Sequence, residues 1–568
     1  MLKLVLKGGS RPPWVGLAAA VWVQIASASS YNFSLYSHFL KSVLGLNQQQ
    51  LTILGVANDI GESVGLLPGL ACNIFPPWAL VLVGSVCCFL GYGAIWLAVS
   101  RTLPSMPYWL LWLTHCIATN SNAWFATAVL VTNMRNFPLS RGTVAGILKG
   151  YAGLGAAVYT VIYSLVFRKS ASDLLLFLAI GIPIFCVALM YFVRPCTPAA
   201  SEDPFERGHF LFTQAACVSL AVFLVSTTIL YAKTTPSDAV AYLLVAIMVV
   251  LLMSPLAVPI KMTICSTKTK KLEPRVESAK ALASGESDSS SKIEPLLTPS
   301  SSSTNLKGFY ENDDDGSDAE TLLALGEGAI HKEKRRPKRG EDFSFHEAVI
   351  KADFWLLWFS YFLGVGPGIT ILNNLSQIGI SLGVNDSTLL LALFSLCNFI
   401  GRLGSGVISE HFVRSRMIPR SLWMMFALIL MAIAFLLYAS GLTGTLYIAT
   451  GFTGISFGVL YSMMIPMASE IFGLKNFGVI LNFMLLGNPI GAALFSVFLA
   501  STLYDNEAAK QGSITCIGQQ CFRITFFVLS GVAGFGSILS LILTIRLRPV
   551  YRKLYSSGSF RLPLSTVH

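Results

Sequence analysis

The sequence predicts an all-α multi-pass membrane protein. It reads as two six-helix bundles with two extra helices between them, about 14 spans in all. Three observations carry that reading. First, the 568 residues are 54% hydrophobic and only 12% charged, about half the charge of an ordinary soluble domain. So much apolar side chain exceeds what a water-facing surface can cover. Second, apolar runs of roughly 20 residues, the length that crosses a bilayer, follow one another along the chain. Third, residues 262–352 hold 30 of the 69 charged side chains, so two apolar blocks are joined by one polar segment. A soluble globular enzyme, a disordered chain and a nucleic-acid binder are thereby excluded. The net charge of +11 belongs instead to loops that flank membrane segments.

In the first block the runs fall at 14–37, 49–71, 77–100, 107–132, 140–167 and 172–193, an expected bundle over residues 1–195. The first run is too long for a signal-peptide core and has no small-residue cleavage site, so it reads as a span. Runs at 211–232 and 239–260 supply the extra pair, within 196–261. Residues 262–352 are rich in Ser, Glu, Asp and Lys and cannot bury enough apolar surface to fold alone. They read as a disordered cytosolic linker that closes with a short amphipathic helix, Phe343 to Lys351, on the membrane surface. The second bundle (353–547) takes runs at 353–378, 386–409, 420–439, 443–468, 475–500 and 522–546, and 548–568 form a cytosolic tail.

Orientation follows from Lys and Arg. With the N-terminus cytosolic, inside segments hold 31 of the 40, outside segments hold 7, and Lys149 and Arg402 lie within spans. That is the split the positive-inside rule expects. Cysteine gives no framework: most of the 11 sit singly in apolar runs, as small hydrophobes do. The exception is Cys516 and Cys521, in a loop on the expected outside face, where a bridge can form; two free thiols are the alternative. No cofactor is implied. There is no Walker motif and no His/Cys cluster spaced for a metal.

Six plus six spans invite a search for internal symmetry. The second span holds Asn58-Asp59-Ile60-Gly61-Glu62, and the second span of the last block holds Asn398-Phe399-Ile400-Gly401-Arg402. At a constant offset of 340, Asn, Ile and Gly coincide, and Glu62 and Arg402 become equivalent positions of opposite charge.

Gly406-Val-Ile-Ser-Glu410-His411-Phe-Val-Arg414-Ser-Arg416 is similar to the G-x-x-x-D-R/K-x-G-R/K-R/K signature of the major facilitator superfamily, between the second and third helices of its C-terminal half. Here Glu410, His411 and Val413 replace Asp, a basic residue and Gly. The corresponding N-terminal loop, Cys72 to Trp78, has no charge. More narrowly, Tyr31-Asn-Phe-Ser-Leu-Tyr36-Ser, Leu54-Gly-Val-Ala-Asn-Asp59-Ile-Gly-Glu62 and Asn133-Met-Arg-Asn-Phe-Pro-Leu-Ser-Arg141-Gly resemble the plant nodulin-like transporters, in particular the nuclear-fusion-defective-four-like group. The resemblance covers nearly the whole chain outside the linker. It implies a plant membrane transporter with the major facilitator superfamily fold, distantly akin to oxalate/formate and monocarboxylate carriers, with Gly406, Glu410 and Arg414 as a gating motif. Those carriers have an Arg in the eighth core helix, and Arg402 matches its place. Monocarboxylate carriers have an Asp four residues earlier; here it is Asn398.

Charge within a bilayer is costly and faces a cavity or a partner. Eight residues separate Lys149 from Arg141 and Arg402 from Glu410, which places both cations about 12 Å into a ~30 Å core. A cationic pair suits an anionic cargo, and Arg offers bidentate carboxylate recognition. Arg402 and Lys149 are the expected cargo contacts, with Asn398. Asn373 and Asn374 join them because they follow Gly364-Val-Gly-Pro-Gly368, which reads as a broken helix lining a cavity. Asn482 and Asn488 also suit the pathway. Glu62 and Asp59 are the expected proton-coupling carboxylates. The plainer readings stand beside these: Glu62 neutralising Lys149, Arg402 belonging to the gating network, and the Asn pair making ordinary interhelical bonds. His115 reads as a proton shuttle or, more simply, as a packed, hydrogen-bonded histidine.

The function expected is secondary active transport of a small organic anion or related metabolite, with proton coupling through Glu62. An intramembrane enzyme would need a nucleophile-base constellation, and none is present. A transporter-like sensor or scaffold signalling through the linker is the alternative; it would tolerate loss of Arg402. The expected partners are an anionic small molecule, the bilayer and sorting adaptors, with no nucleic acid. Asp318-Ala-Glu-Thr-Leu322-Leu323 fits an acidic dileucine sorting pattern. It points to the vacuole or another endomembrane ahead of the plasma membrane.

Overall fold

The computed structural model describes residues 11–46, 48–102, 106–196, 205–233, 237–270, 341–384, 388–512 and 516–556. The body of the linker lies outside the described residues, and with it the dileucine pattern of Asp318, Leu322 and Leu323. Every regular element among the described residues is helical. Among the described residues, eleven helices are long and apolar enough to cross a membrane. The other three expected spans coincide with helices that are broken or more polar.

The first is broken. α1 (Pro12–Ala26) ends at Ser27, a 3-10 turn covers Ser29–Asn32, and α2 runs Phe33–Leu44. Serine side chains compete for the backbone in such a stretch, and the Ser27 hydroxyl donates to the Gln24 carbonyl at 2.7 Å. The second breaks between α3 (Gln48–Ser63) and α4 (Leu66–Ile74). Next come α5 (Pro77–Val99) and α6 (Tyr108–Asn136). α6 is the third exception: His115, Thr119, Ser121 and Asn122 make it less apolar, and all four are buried within the protein.

α7 (Arg141–Val161) runs on through a π turn at Ile162–Val166, and α8 (Ala171–Leu176) joins α9 (Ile182–Met190) through another at Phe177–Gly181. The extra pair is α10 (Glu206–Lys233) and α11 (Asp238–Met253), followed by α12 (Ala257–Lys270). Val222, Tyr242, Leu243 and Val250 on this pair are exposed. An apolar exterior of this kind is a bilayer-facing surface.

The second half starts at α13 (Phe345–Val349), capped by a reciprocal Ser344–Glu347 box. The expected surface helix over Phe343–Lys351 is therefore only five residues long. Its leading Phe343 is buried against Phe472, with ring centroids 5.8 Å apart, so aromatic packing holds this end on the bundle. Then come α14 (Ala352–Ser381), α15 (Thr388–Arg416), α16 (Ser421–Ala439), α17 (Thr443–Phe472), α18 (Phe477–Leu485), α19 (Gly487–Gly491), a π stretch at Ala492–Ser501, α20 (Thr502–Lys510) and α21 (Gln520–Ser556). The break expected in α14 at Gly364–Gly368 is absent: Pro367 sits inside one continuous helix. Neighbouring side chains can compensate a proline in a membrane helix. Here Phe457, Leu460 and Phe495 pack directly over Gly364, Gly366 and Gly368.

Candidate functional site

A polar cavity lies between the two halves, and its free volume is about 40 Å³. α1, the serine-rich break, α3, α6 and α7 line it from the first half, and α15, α17, α18 and α19 from the second. The break after α1 brings Ser27 and Tyr31 to the wall, as irregular backbone in membrane proteins does where it borders a cavity.

Arg402 and Lys149 both line this cavity, with side chains almost fully enclosed (2% and 6% exposed). The Arg402 guanidinium lies 4.6 Å from the centre of the Tyr461 ring, and the Lys149 ammonium 5.5 Å. One aromatic ring thus contacts two cations, each contact worth roughly 0.5–2 kcal/mol. Asn398 accepts from Arg402 Nε at 3.0 Å, and the Lys149 carbonyl from Nη1 at 3.4 Å. Asn398 is not among the lining residues; it orients the arginine from one helical turn away. Neither cation has a carboxylate within 4 Å among the described residues.

Glu62 lines the same cavity and accepts from the Ser30 hydroxyl at 2.8 Å. Tyr31 lines the same wall. Glu62 and Arg402 thus share one cavity and, among the described residues, make no direct ion pair. Glu62 makes none with Lys149 either, among the described residues, although both cations act on it electrostatically. The Glu62–Lys149 pairing expected from sequence is replaced by a looser cluster of two cations and one carboxylate.

The repeat has a structural counterpart. A Cβ on Gly61 would lie 2.1 Å from Thr119 Oγ1 and 2.4 Å from the Cys116 carbonyl oxygen. A Cβ on Gly401 would lie 2.3 Å from the Ile455 carbonyl oxygen. In each half this glycine lets the charge-bearing helix press against a later helix of its own half. Glu62 and Arg402 follow directly after these two contacts.

The end of the bundle that carries both termini is tightly closed. Gly406 on α15 meets α7: its Cβ would lie 2.9 Å from the Gly142 oxygen and 3.0 Å from the Gly146 Cα. One turn further, Glu410 accepts from Arg420 Nη2 (2.6 Å), Arg414 Nε (3.0 Å) and the Gly142 N–H (3.2 Å). Arg414 also donates to the Leu139 oxygen at 2.7 Å, and Arg420 to Glu470 at 2.9 Å. Tyr551 donates a close hydrogen bond to Glu470. A second contact joins α4 to α18, where a Cβ on Gly69 would lie 2.7 Å from the Gly478 oxygen. Arg135 adds bonds to the Leu474 and Lys475 oxygens at 3.1 and 2.9 Å. Gly406, Glu410 and Arg414 thus sit together at an inter-half contact. Arg420 and Glu470 complete it; in the sequence they look like ordinary loop-flanking charges.

Other expected site residues lie elsewhere. Asn374 donates to Ser496 at 3.0 Å, and Asn373 is exposed; neither lines the cavity. The unbroken α14 keeps both in ordinary helical register, away from the wall. Asp59 lies one turn from Glu62, bonded to Asn58 at 3.4 Å and outside the lining. Asn482 and Asn488 do line it. His115 is fully buried against Phe33 and Tyr36 with no hydrogen bond to either ring nitrogen, so it is a packed histidine without the bonds expected of one. Cys516 and Cys521 form a disulfide with Cα atoms 5.9 Å apart. Sequence reasoning missed Gln24, Asn122 and Thr127, which carry the signal that exposed Lys149: a polar residue inside an apolar run. Tyr461 carries no such signal.

A helical membrane bundle whose two halves enclose a charged polar cavity and lock together at one end has the architecture of major facilitator transporters. Residues 13–260 match the Nodulin-like family and residues 341–556 match the NFD4 C-terminal domain. The chain is 29% identical over 558 residues to the Arabidopsis thaliana protein NUCLEAR FUSION DEFECTIVE 4, covering 95% of this chain and 90% of that one. A probable transporter, MCH1, of Gibberella zeae is 26% identical over 215 residues, 30% of this chain and 37% of that one. Among solved structures, the proton:xylose symporter XylE bound to 6-bromo-6-deoxy-D-glucose superposes with a TM-score of 0.52 at 11% identity. That match covers 93% of this chain and 95% of the other.

Proposed function

We propose that the protein moves a small organic anion across a membrane by alternating access, coupled to protons, with both termini and the linker in the cytosol. The observation that carries this is the pair of enclosed cations, Arg402 and Lys149, lining one cavity with no carboxylate within 4 Å of either among the described residues. Burying unpaired positive charge is costly, and an anion between the two relieves it. Arg402 presents a planar fork for a carboxylate, and Lys149 a second point charge.

Among the described residues, Glu62 is the only carboxylate in the lining. Protonation removes its charge and favours anion loading, and a deprotonated Glu62 competes with the anion for Arg402 and Lys149. A transport cycle that binds proton and anion together follows from this competition. Release toward the terminus-bearing end requires the Gly406–Gly146 and Gly69–Gly478 contacts to part. The expected bundles, 1–195 and 353–547, would rock about the cavity, with the dileucine pattern directing the protein to an endomembrane.

Uptake into proteoliposomes against a panel of organic acids, amino acids and sugars, with and without a pH gradient, tests the reading. Saturable uptake of a carboxylate, driven by an inward proton gradient and abolished by Arg402→Ala, supports it. Carboxylate uptake that Arg402→Ala leaves unchanged rejects it.

A further inference from the structure

The same cavity holds an acceptor that an anion cannot satisfy. Gln24, on α1, lines it and is 1% exposed. Its Nε2 donates to Ser27 Oγ at 3.1 Å, and the Ser27 hydroxyl donates to the Gln24 backbone oxygen at 2.7 Å. A hydroxyl has one hydrogen. Ser27 spends it on the backbone, so its oxygen can only accept from the amide. That fixes which end of the Gln24 amide is nitrogen, a point otherwise assigned by bonding pattern alone. The other end, Oε1, has no hydrogen-bond donor among the described residues.

Other amides on the wall are engaged. Asn482 donates to Thr127 at 3.0 Å and to the Gly478 oxygen at 2.8 Å. Asn488 accepts from Tyr361 at 2.7 Å. Gln24 Oε1 is an enclosed carbonyl held open, and such a group calls for a donor.

We propose that the preferred cargo is a small hydroxylated carboxylate, its carboxylate on Arg402 and Lys149 and its hydroxyl donating to Gln24 Oε1. The proposal rests on the anion reading above and narrows it. A hydroxyl is the donor that fits: it satisfies the carbonyl without bringing a third positive charge beside two cations and one carboxylate. A site built to bond a hydroxyl rejects the analogue lacking it, because the buried partner is then left bare. A single neutral bond of this kind sets a preference of about tenfold or more.

Proteoliposomes containing the full chain are tested by competition with lactate, glycerate, propionate and alanine. Lactate and glycerate are expected to compete about tenfold or more better than propionate. Gln24→Met, which keeps length and removes the acceptor, is expected to bring the ratio to about one. If Gln24→Met fails to insert, Ser27→Ala, which frees the amide to turn, must lower the same ratio. Equal competition by propionate and lactate in the unaltered protein overturns the inference and leaves the anion reading standing. Alanine competing better than lactate overturns it in favour of an amino-bearing cargo. Transport of no carboxylate at all overturns the anion reading itself and this inference with it.

Discussion

Gly69 tests whether the terminus-bearing end is a gate. It lies on α4 against α18 of the other half. An added Cβ would sit 2.7 Å from the Gly478 oxygen, 3.0 Å from the Val479 Cα and 3.1 Å from Asn482 Nδ2. Two of these are backbone atoms, so no rotamer change relieves them. The closest is about 0.7 Å inside ordinary contact. The helices must separate by a comparable amount, and overpacking of this sort costs roughly 1–3 kcal/mol. The cost falls on the closed arrangement alone, since the contact is between halves. At 1.4 kcal/mol per tenfold, Gly69→Ala shifts the closed-to-open ratio at this end by roughly 5- to 150-fold.

Cys72 provides a native reporter, half-buried beside the same contact; a Cβ on Gly478 would lie 2.1 Å from its sulfur. Alkylation of Cys72 by a soluble maleimide, resolved by peptide mass spectrometry, is expected to speed up at least fivefold in Gly69→Ala. Gly93→Ala serves as control, because nothing lies within 4 Å of the Cβ it would add. Its Cys72 rate should not move. An unchanged Cys72 rate in a correctly inserted Gly69→Ala protein would refute a gate at this contact.

Three further outcomes follow from the same geometry. Arg402→Lys keeps the charge but loses the fork held by Asn398, so anion uptake should fall at least tenfold while thermal stability in detergent changes little; full uptake would show that the fork is not used. Glu62→Gln should flatten the pH dependence of uptake, measured from pH 5 to 8, because its side chain can no longer exchange a proton; an unaltered profile removes Glu62 from coupling. Arg420→Ala removes the buried cation shared by Glu410 and Glu470, leaving Arg414 and Tyr551 as partial partners, a loss of up to roughly 3–5 kcal/mol, so its melting temperature should drop sharply. A drop no larger than that of an exposed Lys510→Ala control would count against the clasp.

Much of the fold was legible because bilayer spans announce themselves by length and apolarity. The exceptions share one cause. The α1–α2 break, the α3–α4 break and polar α6 all border the cavity, where serines, glycines and amides replace apolar side chains and dilute the hydropathy signal. Lys149, Glu62 and Arg402 were legible because charge in an apolar run is rare. Their relation was not, since the Tyr461 ring that contacts both cations looks like any membrane aromatic. Asn373 and Asn374 were misjudged because a Gly-Pro-Gly stretch suggests a break in isolation. Only the packing of Phe457, Leu460 and Phe495 over those glycines shows why the helix continues.

One helix ties the cavity to the clasp. On α15, Asn398, Arg402, Gly406, Glu410 and Arg414 recur every four residues, the spacing of a single ridge on a helix surface. Asn398 orients Arg402, Arg402 faces the cavity, Gly406 touches α7, and Glu410 and Arg414 close the end. On α7, Lys149, Gly146 and Gly142 face the same sequence of neighbours in the opposite chain direction. Arg402 and Arg414 are separated by about 18 Å of rigid helix. On the alternating-access proposal, a displacement of α15 toward a bound anion moves the whole ridge, and the Gly406–Gly146 backbone contact has no side chain to absorb it. That proposal links cargo binding and the gate contact through one rigid-body displacement between α7 and α15. For that reason bulk added at Gly406 should change cargo affinity as well as gate opening, although Gly406 does not line the cavity.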